Sequence, residues 1–332
     1  MKKFKKVLFY AVILVVLIIV SVLSYITLAL PNVGPAENIK VELTPQRIAR
    51  GKYLAINLSS CLDCHSVRDD SRFGGPINYD RLGVGGSKFD DGVGFPGNVT
   101  VPNITPFKLK DWTDGEIFRA ITTGVRKDGS PIFPLMPWPY YSKMDREDLY
   151  SIIAYLRTLK PQETAYPKST LNFPLNIIVH TMPQKAMLGT KPNLADTLKY
   201  GAYLVQIAAC KQCHSQDVKG ELVAGIEFAG GKEFKVNGNT VRSANITSDK
   251  MTGIGNWTKE EFMARFAFYS DQSKASHVSP KDFQTIMPWW NYNGLSHDDL
   301  NAIYTYIHSL KPVKNTVVKF TLSNSTASGG LQ

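Results

Sequence analysis

Cysteine is nearly absent from this chain of 332 residues: four occur, all inside two five-residue stretches. No thiol is left over for a disulfide, a lipid anchor or a nucleophile. Charged side chains are moderate in number, at 20% of residues. The lysines and arginines form no basic stripe interleaved with aromatics, so the usual footprint of nucleic-acid binding is missing. No stretch resembles a separate output domain, which a gas or redox sensor would want. What remains is ordinary globular composition, with 43% apolar residues, enough to bury a core. At this length two domains are expected rather than one.

The two cysteine stretches are Cys61-Leu62-Asp63-Cys64-His65 and Cys210-Lys211-Gln212-Cys213-His214. C-x-x-C-H is the attachment sequence for a c-type haem. Two thiols at this spacing can each add across one porphyrin vinyl group, and the histidine that follows is placed to ligate the iron. A zinc ribbon would use all four thiolates on one metal and leave both histidines incidental. A thioredoxin-like redox pair needs no histidine at the next position, still less twice. The sequence therefore predicts two covalently attached haems c, held by Cys61, Cys64, His65, Cys210, Cys213 and His214. Their four propionates would offset part of the formal charge of +10.

One apolar run, Val7 to Leu30, carries no charge over 24 residues, long enough to cross a bilayer as a helix. Lys2, Lys3, Lys5 and Lys6 precede it and should stay cytoplasmic, sending the rest outward. The competing reading is a cleaved signal peptide, with Thr27-Leu28-Ala29 as a small-x-small site. The length of the run favours a retained, single-pass anchor in the cytoplasmic membrane with the rest on the periplasmic face. Either outcome exports the domains.

The second part of the chain repeats the first. Arg50-Gly51-Lys52-Tyr53-Leu54-Ala55 matches Tyr200-Gly201-Ala202-Tyr203-Leu204-Val205, and the cysteine motifs follow in step. Asn103-Ile104-Thr105 matches Asn245-Ile246-Thr247, Trp112-Thr113 matches Trp257-Thr258, Met136-Pro137-Trp138 matches Met287-Pro288-Trp289, and Leu159-Lys160-Pro161 matches Leu310-Lys311-Pro312. Two homologous domains, 44–162 and 194–312, are the economical reading, joined by a linker over 163–193 that should lie across them. Residues 1–6 form a basic end, 7–30 the anchor, and 313–332 a polar tail expected to be disordered. Each repeat is expected to be helical. Thr44-Pro45 looks like an N-cap followed by proline at the first helical position. The closing helices carry Leu149, Ile152, Ile153 and Leu156, and Leu300, Ile303, Tyr304 and Ile307, at helical spacing.

The other face of each iron needs a ligand. Met136 and Met287 stand at matched repeat positions just before the closing helices, and a thioether there raises the reduction potential relative to a second imidazole. A lone methionine would more simply fill a core gap; recurrence in the same Met-Pro-Trp context favours axial ligation. Met144 and Met251 have no counterpart, nor do His180, His277, His297 and His308. The carbonyls near Gly75-Pro76 and Gly225-Ile226 are candidates to fix the proximal histidine tautomers. Asn103, Asn245, Trp112 and Trp257 are candidates either for propionate contacts or for core packing.

From Thr44 to Pro312 the chain resembles two tandem class I cytochrome c domains. Its Asn-Ile-Thr, Gly-Ile-Gly-Asn-Trp-Thr, Met-Pro-Trp and Leu-Lys-Pro elements are similar to those of cytochrome c subunits of membrane-bound alcohol and gluconate dehydrogenases. That resemblance implies an all-α fold of two tandem haem domains behind the transmembrane helix, His/Met coordination, and electron transfer outside the cytoplasmic membrane. Those subunits carry three haem motifs, whereas this chain carries two. The expected function is electron carriage rather than catalysis, between a dehydrogenase or quinol-oxidising complex and an oxidase or another cytochrome. The alternative is a dihaem peroxidase, which would need an open iron and an acid/base residue. A methionine candidate in both repeats argues against it.

Overall fold

The computed structural model describes residues 1–218 and 220–323. It opens on helix α1 (Lys2–Ala29), whose most apolar 18-residue window has a mean hydropathy of 3.1 and which has no buried residue. Among the described residues this is the one helix long and apolar enough to cross a membrane. The chain then runs extended over residues 31–43 along the first repeat. There Arg146 Nη1 donates to Glu37 Oε2 at 2.7 Å and the Val41 amide donates to Asp114 Oδ2 at 2.8 Å.

The first repeat holds α2 (Pro45–Tyr53), α3 (Cys61–Cys64), α4 (Pro106–Leu109), α5 (Asp114–Thr123), α6 (Trp138–Tyr141) and α7 (Arg146–Thr158). After the linker helix α8 (Leu175–Ile178), the second repeat follows with α9 (Thr197–Ile207), α10 (Cys210–Cys213), α11 (Lys259–Ala267), α12 (Trp289–Tyr292) and α13 (His297–Ser309). Matched sequence makes matched structure. Thr44 Oγ1 caps α2 by accepting from the Arg47 amide, with Pro45 at the first position. Thr113 with Glu116, and Thr258 with Glu261, form reciprocal capping boxes at the starts of α5 and α11.

In each repeat the first and last long helices cross at a glycine. A Cβ on Gly51 would stand 1.8 Å from the Ser151 carbonyl oxygen, and one on Gly201 would stand 2.0 Å from that of Ala302. These notches let α2 lie on α7 and α9 on α13 with backbones nearly touching.

The expected all-α architecture needs correction. Among the described residues eight short strands accompany the helices: β1 (Lys88–Phe89), β2 (Gly97–Thr100), β3 (Thr170–Leu171), β4 (Asp217–Val218), β5 (Glu221–Leu222), β6 (Glu233–Val236), β7 (Asn239–Arg242) and β8 (Phe320–Thr321). They form antiparallel sheets in the orders β1-β2-β3, β4-β5 and β6-β7-β8. None exceeds four residues. The glycine-rich loops between haem motif and methionine need partners for their backbone groups, and short ladders supply them.

The expected disordered tail is also revised. From Val313 to Ser323 the chain lies along the second repeat: Asn245 Nδ2 donates to Val313 O at 2.8 Å, Asn315 Nδ2 to Ala229 O at 2.8 Å, and β8 pairs with β7. Residues 324–332 fall outside the described residues. The linker lies on the first repeat, with β3 pairing β2 and the Met187 and Gly189 amides bonding Ser142 O and Lys143 O.

Most buried apolar side chains form a core that runs through both repeats, from Leu54, Leu58 and Ile153 to Leu204, Ile207 and Ile303, and a smaller cluster holds Tyr269, Ala275 and Trp290. Polar ties cross the boundary in near-symmetric pairs. Tyr203 OH donates to Asp148 Oδ2 at 2.7 Å, and its repeat mate Tyr53 OH donates to Asp299 Oδ2 at 2.5 Å.

Candidate haem sites

Each C-x-x-C-H motif is a single helical turn entered through a left-handed residue. Helix α2 continues into a π-helical turn, Leu54–Leu58, before Ser60 (φ 46°) opens α3; Ala209 (φ 52°) opens α10 in the same way. Neither is glycine, so each costs about 1–2 kcal/mol of backbone strain, held by the packing on either side. Such strain, repeated at two sites, marks positions where the chain must turn sharply to present a short segment.

On one turn, residues i and i+3 share a face, so Cys61 with Cys64, and Cys210 with Cys213, present paired thiols. All four are free. Cys61 and Cys210 are half-buried against the core, and burial pushes both thiols up to about 12. Cys64 and Cys213 are exposed, and Cys213 lies close enough to bear on the ionisation of Cys64. The two motifs therefore lie near one another across the boundary between repeats. Tyr141 and Tyr292 lie buried near both, their hydroxyls donating to Ser59 O at 2.8 Å and Ala208 O at 3.2 Å.

Each motif histidine has one ring nitrogen tied down. His65 Nδ1 meets Pro102 O at 2.8 Å and His214 Nδ1 meets Ala244 O at 2.8 Å. A carbonyl can only accept, so Nδ1 carries the proton and Nε2 keeps its lone pair for a metal. Burial lowers both imidazoles below the usual histidine range, while the carbonyl contact opposes it, so the neutral ligand form prevails near neutrality. These acceptors correct the sequence expectation. The Pro76 carbonyl accepts from the Asp69 amide instead, and the partners that face the rings are the residues just before Asn-Ile-Thr in each repeat. A matched pair that the motif itself does not announce also shapes each site: Ser66 and Ser215, directly after each histidine, are fully buried and accept the Gly83 and Phe228 amides. Their matched position after C-x-x-C-H was the available signal.

Met136 and Met287 pack, half-buried, against the same core as Cys61 and Cys210. Both sit in one local conformation: the Trp138 amide donates to Met136 O at 2.7 Å and the Trp289 amide to Met287 O at 2.8 Å. Pro137 (φ −76°, ψ 43°) and Pro288 (φ −78°, ψ 61°) lie at the centre of these inverse γ-turns. Met144 is fully buried core and Met251 is 84% exposed. Among the other histidines, His180 meets Leu30 O, His277 pairs by backbone with Arg72, and His308 stacks on Tyr304. Asn103 and Asn245 spend their amide donors on Gln162 O and Val313 O, the chain just beyond each closing helix, so their recurrence is structural.

The residues fit a covalently attached haem: paired free thiols on one face, followed by an imidazole whose Nε2 is left as the metal-facing nitrogen. Among the described residues no three His, Cys, Asp or Glu side chains gather as a shared zinc would require.

No family model matches the chain. Curated proteins do. It is 25% identical over 295 residues to the cytochrome c subunit of the quinone alcohol dehydrogenase of Gluconacetobacter polyoxogenes, covering 84% of this chain and 59% of the relative. It is 28% identical over 290 residues to the fructose dehydrogenase cytochrome subunit of Gluconobacter japonicus, covering 83% and 55%. The chain resembles dehydrogenase cytochrome c subunits. A diheme cytochrome c-type protein of Cereibacter sphaeroides matches over 165 residues at 27% identity. The chain spans a little over half the length of the dehydrogenase relatives it matches.

Proposed function

We propose that this chain is a membrane-anchored dihaem c-type cytochrome, with two cytochrome c-like domains over residues 44–162 and 194–312. It carries electrons on the periplasmic face between a respiratory donor (a dehydrogenase or quinol-oxidising complex) and a terminal acceptor such as an oxidase or another cytochrome. The observation that carries this is the twin motif in which each histidine has Nδ1 committed to a backbone carbonyl and Nε2 free. Similarity to cytochrome c subunits of dehydrogenases supports it and makes a dehydrogenase the favoured donor. A dihaem peroxidase is not favoured by those relatives.

When attached, haem c supplies reversible one-electron chemistry at its iron. The chain's own residues do the rest. Cys61 and Cys64, and Cys210 and Cys213, would hold the ring edges, and His65 and His214 would give Nε2 in a fixed orientation. Met136 and Met287 would present thioethers from the matched γ-turns, and the apolar core would exclude water, which keeps the charge-carrying site at low dielectric and holds its geometry. Helix α1 would retain the domains at the membrane, where a quinol-linked donor sits. The experiment is haem counting and absorption spectroscopy on the purified full chain. Two haems per chain, both low-spin and unchanged by cyanide, are expected. A single haem, or a high-spin haem that binds cyanide, sinks the proposal.

A further inference from the structure

The linker between the repeats has a one-sided composition. After Glu163, from Thr164 to Asn193, it contains no aspartate or glutamate, while Lys168, Lys185 and Lys191 are all positive. Lys191 is engaged with Asp148, and Lys168 and Lys185 are exposed. Between those two lies the apolar run Phe173-Pro174-Leu175-Asn176-Ile177-Ile178-Val179, folded as α8 and continued by a 3₁₀ turn, Val179–Thr181. Only Val179 in this run is buried; Phe173 is 80% exposed and Ile178 44%.

Its location gives those side chains a meaning. Helix α8 and the turn after it pack against α1, and His180 Nδ1 meets the Leu30 carbonyl, one residue past the end of α1, at 3.1 Å. The run is thus level with the point where α1 ends. Its base is firm: β3, immediately before it, is paired to β2, and residues 31–43 are pinned by the Arg146–Glu37 and Val41–Asp114 contacts.

We propose that residues 172–182 make a second, shallow membrane contact, with α8 lying in the outer headgroup layer beside α1 and with Phe173 and Ile178 at the boundary of the acyl chains. This rests on α1 spanning the bilayer, as proposed above. An apolar face flanked by lysines and free of carboxylates suits an interface with anionic lipid. A protein partner would have to enter the headgroup layer to reach the same face. The consequence is orientation. One spanning helix alone lets the haem domains swivel about its axis, whereas a second contact beside it sets which face of them looks away from the membrane.

The test uses the full chain in vesicles of phosphatidylcholine and phosphatidylglycerol. With the native cysteines taken up by haem attachment, Phe173→Cys and, separately, Ile178→Cys each provide one thiol for a nitroxide label. Val15→Cys serves as the reference for α1 and Val318→Cys as the reference for water. The expected result is that labels at 173 and 178 meet oxygen several-fold more readily than a water-soluble nickel chelate, as at 15 and opposite to 318. Labels at 173 and 178 that behave like 318 while 15 stays in lipid overturn the shallow contact and leave the anchor. Protection from both reagents at 173 and 178 overturns it in favour of a protein partner. A label at 15 open to the nickel chelate removes the anchor itself, and the shallow contact with it.

Discussion

Met136 and Met287 stand at matched positions, and the tertiary structure gives them the same γ-turn and the same half-buried setting against the core. A methionine that merely fills a gap has no need of a repeated turn. Met136→Ala and Met287→Ala should each remove the thioether-to-iron absorption of one haem and lower that haem's potential, with the other haem unchanged. An intact spectrum in either variant strikes that methionine from the ligands. That the two cysteines of each motif share one helical turn was legible in the sequence, because it depends on local spacing. The imidazole acceptors were not. Pro102 O lies 37 residues from His65 and Ala244 O lies 30 from His214, so the loop path decides which carbonyl arrives. Ser66 and Ser215 were missed for a similar reason: their role depends on amides from a distant part of the loop.

Among the elements, the glycine notches control how each repeat closes. Gly51→Ala and Gly201→Ala each drive a methyl into a backbone carbonyl of the facing helix, which neither helix can avoid by a rotamer change. Each should cost about 1–3 kcal/mol or more, seen as a lower denaturation midpoint, and should act on its own repeat first. A midpoint within error of the parent would show that the helices separate freely. The start of α2 was indicated by sequence, since caps are local: Thr44-Pro45 folds as the residues suggest, whereas the capping boxes of Thr113 with Glu116 and Thr258 with Glu261 were not anticipated although they are equally local. The short strands were not indicated. They run two to four residues, too brief for an alternating pattern to register, and β3 and β8 come from the linker and the tail, segments whose composition alone suggests no pairing.

For the whole molecule, the decisive feature is the shared boundary. Asp148 is buried, which alone would raise its pKa. Hydrogen bonds from Arg50 and Tyr203, with Lys191 nearby, outweigh that and hold it below the usual carboxylate range. A depressed folded pKa contributes stability that is present above the unfolded value of about 4 and is lost as pH falls through the folded value. Asp148→Asn should therefore cost about 3 kcal/mol at neutral pH, and its deficit against the parent should shrink as pH falls below about 4. Unfolding followed at both pH values checks this; a deficit that stays constant with pH would mean that the charge is not what matters. Gln284 is a second tie between repeats. Three residues before Met287, it accepts from the Gly74 amide at 2.7 Å and donates to Arg72 O at 2.9 Å, so a loop of the first repeat braces the methionine loop of the second.

The sequence by itself determined the paired cysteines with their following histidines, the apolar stretch that forms α1 and the capped helix start at Thr44-Pro45, because each depends on residues a few positions apart. Only the tertiary structure decided which carbonyls fix the histidines, that the two C-x-x-C-H motifs lie near each other beside a core shared by both repeats, and that the linker brings an exposed apolar run to the end of α1. Those relations join residues 30 to 250 positions apart, and such distances are closed by packing, which no local pattern encodes.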